Sequence, residues 1–578
     1  MADTTLEDRA KSWMQHDPDP ATKEAAAKLL DGGDKAALAA CFGERLRFGT
    51  AGLRGALGPG PGCMNRALVR LVSAGYADHL LATLPDAAQR GVVIGFDGRH
   101  GSREFAEDAA RVFLGRGLPV HRFDRVSPTP ELAFAVTHLQ AAGGVMVTAS
   151  HNPPGDNGYK VYAANGAQII SPADAQITAA IDAVGTLESV AVPEMALGED
   201  IGAVRTLGEP LREAYLERVL ALRVKPATGV KLAYTPLHGV GRDLMVETLR
   251  RAGHTDVAVV ASQAEPDGDF PTVRFPNPEE DGAMDAVLAL AAETGADLAM
   301  ANDPDADRLA VSVLHEGSYV ALSGNDLGVL IADELLRNAT GEGKPMVATS
   351  IVSSTLLSKL AAKHGAAYAE TLTGFKWIAN RAIEHDASGG RFLMGYEEAL
   401  GYCVGSVVRD KDGISAALLV ADMAAADKAA GRTLIDRLTD ISREHGLHAG
   451  RQVSRTLPGA EGKAAMEALM KALRTRPPET LEKAKLTAMV DLSDGSAKAF
   501  GKGNKPPKVE LPRSNVLAFY YDDGSRILAR PSGTEPKIKF YFELVDSMRS
   551  NGRLDTAVDK AAPKLDKRIA AFMKHLEG

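Results

Sequence analysis

The chain has 578 residues, of which 45% are hydrophobic and 24% charged, as in ordinary soluble globular proteins and unlike disordered chains. At about 150 residues per domain, this length predicts roughly four domains. The 66 basic and 75 acidic side chains leave a net charge of −9, which argues against broad nucleic-acid binding but allows local basic pockets.

The hydropathy, the first residues and the cysteine count predict a cytoplasmic protein without membrane or nucleic-acid partners. No window reaches ~18 consecutive apolar residues, so no transmembrane helix is expected. The start, Met1–Asp8, is acidic and lacks the apolar core of a secretory signal. Cys41, Cys63 and Cys403 are too few and too scattered for a disulfide framework or a cysteine-ligated metal site, which fits a reducing compartment.

Helix and strand signals alternate along most of the chain. Residues 1–46 favour helices, among them an Ala/Lys/Glu/Leu run at Ala21–Leu30. Short apolar runs then predict strands at Gly91–Gly95, Val145–Val147, Lys231–Tyr234, Leu298–Ala301 and Met346–Ile351. Longer periodic stretches predict helices at Ser102–Gly115, from about Arg242, and from the N-cap Ser323 through Leu336. This restarting rhythm predicts similar α/β domains in series, with mixed or parallel sheets.

The last part of the chain has a different pattern. After a Pro/Gly/Lys loop at Gly501–Lys508, β-prone segments at Val516–Tyr521 and Ile538–Leu544 precede a polar-faced helical stretch, Leu554–Leu576. The last ~130 residues are therefore expected to be α+β. We place the domain divisions at 1–205, 206–321, 322–445 and 446–578.

The first candidate site is the loop Thr148–Gly155, whose prolines and glycine end an apolar strand. A strand end exposes a hydroxyl, so Ser150 is a candidate nucleophile. His151 and Lys160 are near enough in sequence to move protons or neutralise charge. The alternative is a serine that only caps a helix or a turn, which is the commoner role of such a residue when this loop is taken alone.

The second candidate site is a run of three carboxylates, Asp303, Asp305 and Asp307, after another apolar segment. In a looped backbone they can converge on one hard cation, and Mg²⁺ prefers oxygen ligands. An EF-hand is excluded because Arg308 stands at the loop's sixth position in place of Gly and Leu314 at its twelfth in place of Glu. A solvated acidic turn is the weaker alternative, because adjacent carboxylates repel one another unless a cation compensates.

A third pair of segments combines glycines with polar side chains that suit sugar hydroxyls. The segments are Thr373–Lys376 and Gly395–Gly401, and the second contains Glu397 and Glu398. Glycine lets the backbone approach a ligand closely, and a carboxylate accepts hydrogen bonds from hydroxyls. A strand edge with exposed acids explains the pattern equally well.

The fourth candidate site is Arg530–Lys539. Hydroxyls, the N–H groups of a glycine turn and nearby cations make a phosphate clamp, and the residues that supply them are Arg530, Ser532, Gly533, Thr534, Lys537 and Lys539. A Pro/Gly turn with incidental basic residues is the alternative.

The four loops imply more together than separately. The chain has no P-loop, no dinucleotide-binding fingerprint, no His-Glu-x-x-His and no Cys-x-x-Cys. It has instead a candidate nucleophile, a metal site, a hydroxyl reader and a phosphate clamp, one in each predicted domain. That set suits a transferase for a phosphorylated polyol, with its site in a cleft between domains.

In this order the motifs resemble those of the α-D-phosphohexomutase family, the phosphoglucomutases and phosphomannomutases, and in particular its longer bacterial phosphoglucomutase/phosphopentomutase branch. The similarity covers nearly the whole chain. The matching segments are the N-terminal signature Arg47–Gly55, the phosphoserine loop Thr148–Pro153, the metal loop Asp303–Arg308 with Pro304 where many relatives have Gly, the sugar loop Gly395–Gly401 and the phosphate loop Arg530–Pro536.

The resemblance implies an α/β fold of four domains around a central cleft, with three related α/β domains of mixed sheets and a smaller C-terminal α+β domain. It implies Mg²⁺ held by Asp303, Asp305, Asp307 and the phosphorylated Ser150, with Lys160 as candidate base, His151 as its polar partner, and Arg54 and Arg308 stabilising charge. The sugar would contact Thr373, Gly374, Lys376, Glu397 and Glu398. Its phosphate would contact Arg530, Ser532, Gly533, Thr534, Lys537 and Lys539.

The implied activity is the interconversion of hexose 1-phosphate and hexose 6-phosphate through a sugar 1,6-bisphosphate, primed by glucose 1,6-bisphosphate. Glucose is the expected sugar and mannose the second. Ala399 stands where several hexomutases have Ser, so a phosphopentomutase acting on ribose or deoxyribose 1-phosphate stays open. A sugar-bisphosphate synthase, a non-catalytic sensor and a metal-dependent phosphatase are further alternatives, and the sequence does not separate monomer from dimer.

Overall fold

Three sheets of mixed strand direction follow one another along the chain, and a fully antiparallel sheet follows them. The computed structural model describes residues 5–47, 52–457, 462–532 and 537–577. Four regions are named here by their sheets: region 1 carries the first sheet, and region 4 the last. Within the described parts of the chain, every helix is too short or too polar to span a lipid bilayer.

Region 1 has three N-terminal helices followed by a six-stranded sheet. Its helices are α1 (Leu6–His16), α2 (Pro20–Gly32), α3 (Lys35–Phe42), α4 (Arg66–Thr83), α5 (Ala87–Arg90), α6 (Ser102–Gly115), α7 (Thr129–His138), α8 (Ala173–Val184) and α9 (Met195–Asp200). Its strands are β1 (Leu53–Ala56), β2 (Val92–Phe96), β3 (Val120–Phe123), β4 (Gly143–Val147), β5 (Asp156–Ala163) and β6 (Val204–Leu207). The sheet order is β1-β5-β4-β2-β3-β6.

Region 2 has a five-stranded sheet. Its helices are α10 (Glu209–Leu220), α11 (Arg242–Arg251) and α12 (Asp285–Thr294), and its strands are β7 (Leu232–Thr235), β8 (Val257–Val259), β9 (Leu298–Ala301), β10 (Ala310–His315) and β11 (Ser318–Ala321). The sheet order is β11-β10-β9-β7-β8.

Region 3 has a four-stranded sheet. Its helices are α13 (Gly324–Arg337), α14 (Leu356–Lys363), α15 (Phe375–Ala387), α16 (Gly413–Ala429) and α17 (Leu434–His445), and its strands are β12 (Pro345–Ser350), β13 (Ala367–Thr371), β14 (Arg391–Glu397) and β15 (Gly401–Val404). The sheet order is β13-β12-β14-β15. The predicted cap of α13 is present, because Ser323 and Asp326 form a reciprocal capping box.

Region 4 has a seven-stranded antiparallel sheet. Its helices are α18 (Gly462–Thr475) and α19 (Leu554–His575), and its strands are β16 (Leu447–Thr456), β17 (Thr480–Leu481), β18 (Ala484–Asp491), β19 (Ser496–Ala499), β20 (Leu517–Tyr521), β21 (Arg526–Pro531) and β22 (Lys537–Asp546). The order is β16-β22-β21-β20-β18-β17, with β19 on β18. The predicted change to α+β is therefore confirmed. Short 3₁₀ turns occupy Leu187–Ser189 and Ala261–Gln263 in the earlier regions.

The first three sheets share one four-stranded core. In each, the first strand pairs in parallel with the second and third, and the third pairs with an antiparallel fourth. The resulting spatial orders are β3-β2-β4-β5, β8-β7-β9-β10 and β13-β12-β14-β15. This repetition confirms the expectation of three related α/β domains. The domain divisions stay a prediction; the one after residue 205 passes through β6.

One hydrophobic core runs through regions 1 to 3, and region 4 has its own. The shared core includes Leu132, Tyr215, Met300, Leu330 and Leu418, which come from all three regions. The core of region 4 lies between its sheet and α19, and a small separate cluster at the joint with region 3 includes side chains from both regions. Regions 1 to 3 are therefore one packed body.

In region 4, Phe572 of α19 is fully buried against the sheet. Its ring lies 5.2 to 6.4 Å, centroid to centroid, from Phe519, Phe540 and Phe542. Phe572→Ala should cost about 3–5 kcal/mol in the unfolding of region 4, because it removes apolar burial and leaves a cavity. Urea denaturation followed by circular dichroism measures the change.

The matched control is Val558→Ala, on the same helix but 45% exposed. It should alter the unfolding transition by no more than about 0.5 kcal/mol. Equal losses in the two variants would contradict this account of the region 4 core.

Candidate active site

Three of the predicted loops occupy the same place in the three related sheets. Each connects the third strand of the repeated core to its antiparallel fourth strand: Ser150 lies between β4 and β5, the aspartates between β9 and β10, and Glu398 between β14 and β15. Each loop also holds one non-glycine residue at positive φ, namely Ser150 (53°), Ala306 (57°) and Leu400 (61°). Such backbone costs of order 1–3 kcal/mol and clusters at functional sites. The equivalence brings all three loops to one centre.

Ser150 lies against the aspartate loop. Its Oγ donates to Asp303 Oδ2 at 2.7 Å and lies 3.2 Å from His151 Nδ1. Its N–H donates to Thr148 Oγ1 at 2.8 Å, which helps fix the turn. Burial, together with the cations of Arg308 and Arg54, lowers the pKa of His151 well below its usual value. The predicted nucleophile and aspartates are thus in direct contact.

The three carboxylates converge as predicted. One oxygen of each of Asp303, Asp305 and Asp307 lies within 4.8 Å of the others, and all three residues are buried. Burial and the two neighbouring carboxylates raise the pKa of Asp303 well above its usual value. The Asp305 Oδ1 and Asp307 Oδ1 atoms are buried and have no hydrogen-bond partner. Buried oxygens that can only accept, grouped at this distance, suit a hard divalent cation.

Two lysines from other regions compensate this negative charge. Lys160 Nζ on β5 lies 2.6 Å from Asp305 Oδ2 and 3.1 Å from Asp307 Oδ2. Lys411 Nζ, from the segment before α16, lies 2.8 Å from Asp307 Oδ2. Burial opposes the charge on both lysines, but the aspartates outweigh it and raise the pKa of each. The aspartate loop is therefore bound by cations from regions 1 and 3.

The predicted arginines lie at the edge of this centre. Arg54, on β1, donates from Nη1 to Asn152 Oδ1 at 2.9 Å in the Ser150 loop. The Arg308 backbone N–H donates to Asp303 Oδ1 at 3.0 Å, and its Nη1 donates to Glu279 Oε2 at 3.2 Å. Burial lowers the pKa of Arg54, which an arginine tolerates without losing its charge. Of the N-terminal signature, Phe48, Gly49, Thr50 and Ala51 lie outside the described residues.

The two predicted sugar-loop glutamates have different surroundings. Glu397 Oε1 accepts from the Gly374 N–H at 2.7 Å, where Gly374 has a φ of 114°. Burial and then Glu398 raise the pKa of Glu397 to about 7. Glu398 Oε2 instead accepts from the hydroxyls of Ser350 at 3.1 Å and Ser353 at 3.0 Å, and Glu398 lines the cleft.

The remaining predicted sugar contacts are divided between the cleft and its surroundings. Thr373 lines the cleft, and its buried Oγ1 has no hydrogen-bond partner, so it is available to a ligand. Lys376 is buried at the start of α15, where its Nζ lies 5.9 Å from the centre of the Trp377 ring. Burial lowers the pKa of Lys376. Among the described residues, Lys376 is not one of those that line the cleft.

The described residues that flank the predicted phosphate loop line the cleft from region 4. Arg530 at the end of β21 and Lys537 and Lys539 on β22 all line it. The Ser532 N–H donates to the Lys537 carbonyl at 2.7 Å. Burial and the neighbouring Lys537 lower the pKa of Lys539. Gly533 and Thr534, predicted to bind phosphate, lie outside the described residues.

The cleft between these loops has a volume of about 650 Å³ and is lined from all four regions. That is within the range of small-molecule sites. His151 and Arg308 face it from one side, Glu398 and Thr373 from another, and the basic strands β21 and β22 close it. It can accommodate a small polyol that carries anionic groups.

Several supporting residues were not predicted. Thr129 at the start of α7 donates from Oγ1 to Asp305 Oδ2 at 2.5 Å. Lys411 was also missed, although it stands in a polar run, Arg409–Gly413, just before a strongly apolar helix. Ser350 and Ser353 carry no signal of their own, because serines at strand ends are common.

Comparison with known proteins agrees with this geometry. Four domain models match in order: phosphoglucomutase/phosphomannomutase alpha/beta/alpha domain I over residues 45–188, domain II over 213–317, domain III over 323–443 and the C-terminal domain over 460–561. A "probable phosphomannomutase" of Haemophilus influenzae is 40% identical over 88% of this chain and 98% of that protein. A human phosphopentomutase is 36% identical over 94% of this chain and 92% of its own.

Among solved structures, parafusin of Paramecium, also named a phosphoglucomutase and solved in its open form, has a TM-score of 0.64 at 21% identity. The similarity covers 91% of this chain and 96% of that one, and it supports the four-domain fold.

Fold, sequence and site together define an isomerase of the intramolecular phosphotransferase class. The chain belongs to the phosphoglucomutase/phosphomannomutase family.

Because Asp305 contributes an unpartnered carboxylate oxygen, it should be required for binding a divalent cation. Asp305→Asn keeps the shape but removes the charge, so the shift in melting temperature on adding Mg²⁺ should be lost. The exposed Asp31→Asn is the matched control and should keep that shift. A wild-type response from Asp305→Asn would exclude the triad as the cation site.

The raised pKa of Glu397 makes a prediction for stability. Its carboxyl group should hold a proton up to pH about 7 in the folded protein but lose it near 4.5 once unfolded. Its contribution to stability is therefore complete below pH 4.5 and declines as the pH rises to about 7. The slope is at most about 1.4 kcal/mol per pH unit.

Glu397→Gln stays neutral and should lack that decline, which urea midpoints measured at a series of pH values would show. The exposed Glu384→Gln, on the neighbouring helix α15, should reproduce the wild-type profile. A Glu397→Gln profile with the wild-type slope would contradict the assignment of this decline to Glu397.

Proposed function

We propose that the protein converts sugar 1-phosphates into the isomers that carry the phosphate on the terminal carbon, and back, through a phosphorylated Ser150. Hexose 1-phosphates and hexose 6-phosphates are the first substrate class. The observation that carries the proposal is the contact of Ser150 Oγ with Asp303 at 2.7 Å, beside His151 and Arg308, which line the polar cleft of about 650 Å³. A hydroxyl on a loop with positive φ, beside a candidate cation site, is placed to accept and return a phosphoryl group.

In the proposed reaction, a hydroxyl of the bound sugar phosphate attacks the phosphorus of phosphoserine 150. The new oxygen–phosphorus bond forms as the bond to Ser150 Oγ breaks, which gives a sugar bisphosphate. The bisphosphate turns over in the cleft, and its other phosphoryl group passes to Ser150 Oγ. Glucose 1,6-bisphosphate would phosphorylate an unmodified chain by the second of these steps.

Charge balance assigns roles to the chain's own residues. Asp303, Asp305 and Asp307 would hold Mg²⁺, and their unpartnered oxygens fit that role. When bound, Mg²⁺ would neutralise phosphate charge in the in-line transfer. Arg54 and Arg308 add fixed positive charge at the Ser150 side of the cleft. His151 Nδ1, 3.2 Å from Ser150 Oγ, is positioned to exchange a proton with that oxygen. Lys160 stays the candidate base by resemblance.

The far end of the substrate would be held by region 4. Arg530, Lys537 and Lys539 present cations to the cleft, and we propose that they bind the phosphate that is not reacting, together with Ser532, Gly533 and Thr534. Thr373 and Glu398 would read the sugar hydroxyls. Glu397, which accepts a hydrogen bond from the Gly374 N–H, would hold the sugar loop against the segment that contains Gly374.

A pentose is the second candidate substrate. Ala399 removes a hydroxyl from the sugar loop, and a human relative that is 36% identical is named a phosphopentomutase. Glucose is first because the family is named for it and for mannose. A sugar-bisphosphate synthase would use the same residues with a different phosphoryl donor.

A ³¹P NMR panel tests the proposal. Glucose, mannose, glucosamine and ribose 1-phosphates are offered separately, with Mg²⁺ and trace glucose 1,6-bisphosphate. Wild type should convert at least one hexose phosphate, and Ser150→Ala should lower kcat by at least about 10³-fold because no phosphoenzyme can form.

Ser73→Ala is the control, since Ser73 is also a buried serine and its hydroxyl hydrogen-bonds to the Tyr159 hydroxyl at 2.7 Å. Near-wild-type turnover by Ser150→Ala would exclude the covalent route. Steady release of inorganic phosphate would instead indicate a phosphatase, and ligand binding without conversion would indicate a sensor.

A further inference from the structure

We infer that Arg99 is a positioning residue for the Ser150 loop, an inference that rests on the proposed role of Ser150. Arg99 lies between β2 and α6, outside all four motifs, and is only 4% exposed. It does not line the described part of the cleft, so it would act through the loop and not on the substrate.

Arg99 binds the backbone of Ser150 itself and of the residues that follow it, up to the first residue of β5. Its Nη2 donates to the carbonyl oxygens of Ser150 and Asn152, both at 2.6 Å. Its Nη1 donates to those of Pro153 at 2.8 Å and Asp156 at 3.2 Å. Four acceptors from one loop therefore converge on one planar guanidinium. Only arginine has enough donors, fixed in one plane, to bind them together.

The loop requires such support because Ser150 itself has a φ of 53°. A non-glycine residue in this conformation is retained only when its surroundings determine it. The bonds within the loop involve other groups than the Ser150 carbonyl: the Ser150 N–H bonds to Thr148 Oγ1, and the Asn152 N–H bonds to the Ala149 carbonyl. Farther along, the Asp156 N–H bonds to the Pro153 carbonyl, and Asn152 Nδ2 bonds to Asp156 Oδ2. Arg99 supplies the long-range bonds that hold the carbonyl of the strained residue in place.

The guanidinium itself has two further contacts, with Asp97 and with the Phe270 ring. Its Nε lies 3.4 Å from Asp97 Oδ2. The other Asp97 oxygen accepts from the Arg99 N–H at 3.0 Å and from Ser102 Oγ at 2.7 Å. The Phe270 ring of region 2 packs against it, with 4.9 Å from Cζ to the ring centre. Arg99 therefore joins the Ser150 loop to the region that carries the aspartates.

The same support recurs in the other two repeats, which strengthens the inference. In region 2 the loop after β7 donates the Val240 N–H to the Pro304 carbonyl at 2.8 Å. In region 3 the Ser350 hydroxyl at the end of β12 and the Ser353 hydroxyl in the loop after it donate to Glu398. In each repeat, the loop after the first strand supports the functional loop after the third. Arg99 performs this task in region 1.

The test is Arg99→Lys, which keeps the charge but cannot hold the Ser150 carbonyl and the three carbonyls that follow it together. The kcat of the full-length enzyme should fall on the order of 10²-fold, the effect of a misplaced reacting group. The KM for the sugar phosphate should change less than about threefold, because the sugar and its free phosphate are held by regions 3 and 4. Intact-mass measurement should show slower phosphorylation of the variant by glucose 1,6-bisphosphate.

Arg223→Lys is the matched control, because Arg223 is also largely buried and makes a two-pronged bond to Asp422, at 2.7 Å for each pair, far from the loop in sequence. Its kcat per folded molecule should stay within about twofold of wild type. An Arg99→Lys kcat within the same range would overturn the inference. So would an equal loss in Arg223→Lys, since the effect would then be general to buried arginines.

A second variant covers the case in which Arg99→Lys does not fold. Asp97→Asn leaves the four carbonyl bonds but removes the charge beside Nε. It should speed hydrogen exchange in the peptide 148–158 and lower kcat. If both the exchange rate and kcat stayed at their wild-type values, the inference would be overturned.

Ser150→Ala, assayed alongside, separates the two hypotheses. Turnover by Ser150→Ala would remove the proposed function and this inference with it. An inactive Ser150→Ala beside a fully active Arg99→Lys would overturn the inference alone.

Discussion

The burial of three carboxylates on one short loop is the constraint on which the structure depends. Asp303, Asp305 and Asp307 are each no more than 1% exposed, and charges cannot be buried at such spacing without compensation. Lys160 from region 1 and Lys411 from region 3 supply it. The centre therefore cannot form within region 2 alone. The same electrostatic requirement that makes a cation site also fixes the arrangement of three regions around it.

In this arrangement the same topological position carries a site loop in each of regions 1 to 3. In an α/β sheet, the carboxyl ends of parallel strands are where ligand-binding loops gather. Here the loop after the third strand carries Ser150 in region 1, the aspartates in region 2 and Glu398 in region 3. Each has a strained residue, and each is supported by the loop after the first strand. The residues of the loop after the third strand can therefore differ between repeats, while the loop after the first strand supports it from the same position.

The sequence predicts the secondary-structure elements and the loops that meet around the cleft, but not the residues that support those loops. Apolar runs that end in Pro, Gly and Asp clusters locate the strand ends, so local pattern makes Ser150 and the aspartates candidates. The four motifs taken together, and not the loop alone, favour Ser150 over a serine that only caps a turn. Arg99, Thr129 and Lys411 act over separations of 51 to 176 residues, as in the Arg99–Ser150, Thr129–Asp305 and Lys411–Asp307 contacts. No local pattern encodes such a contact. The sequence also does not predict that Lys376 is absent from the residues lining the described cleft. Its closeness to Gly374 in sequence does not decide which way a helical side chain points.

Region 4 has its own hydrophobic core, but some of its charged residues bond to region 3. Its Arg526 donates to Glu543 Oε2 at 3.0 Å within the region, and to Glu370 Oε1 at 2.9 Å and the Ser353 carbonyl in region 3. The Ser353 hydroxyl also bonds to Glu398. One serine thus contacts both the predicted sugar loop and the region that carries the predicted phosphate clamp. In the proposed reaction either end of the substrate meets the same nucleophile, so this clamp would have to accept two different phosphates. Lysine and arginine cations would meet that need through charge more than shape, and the shared serine would connect the clamp's region to the sugar loop.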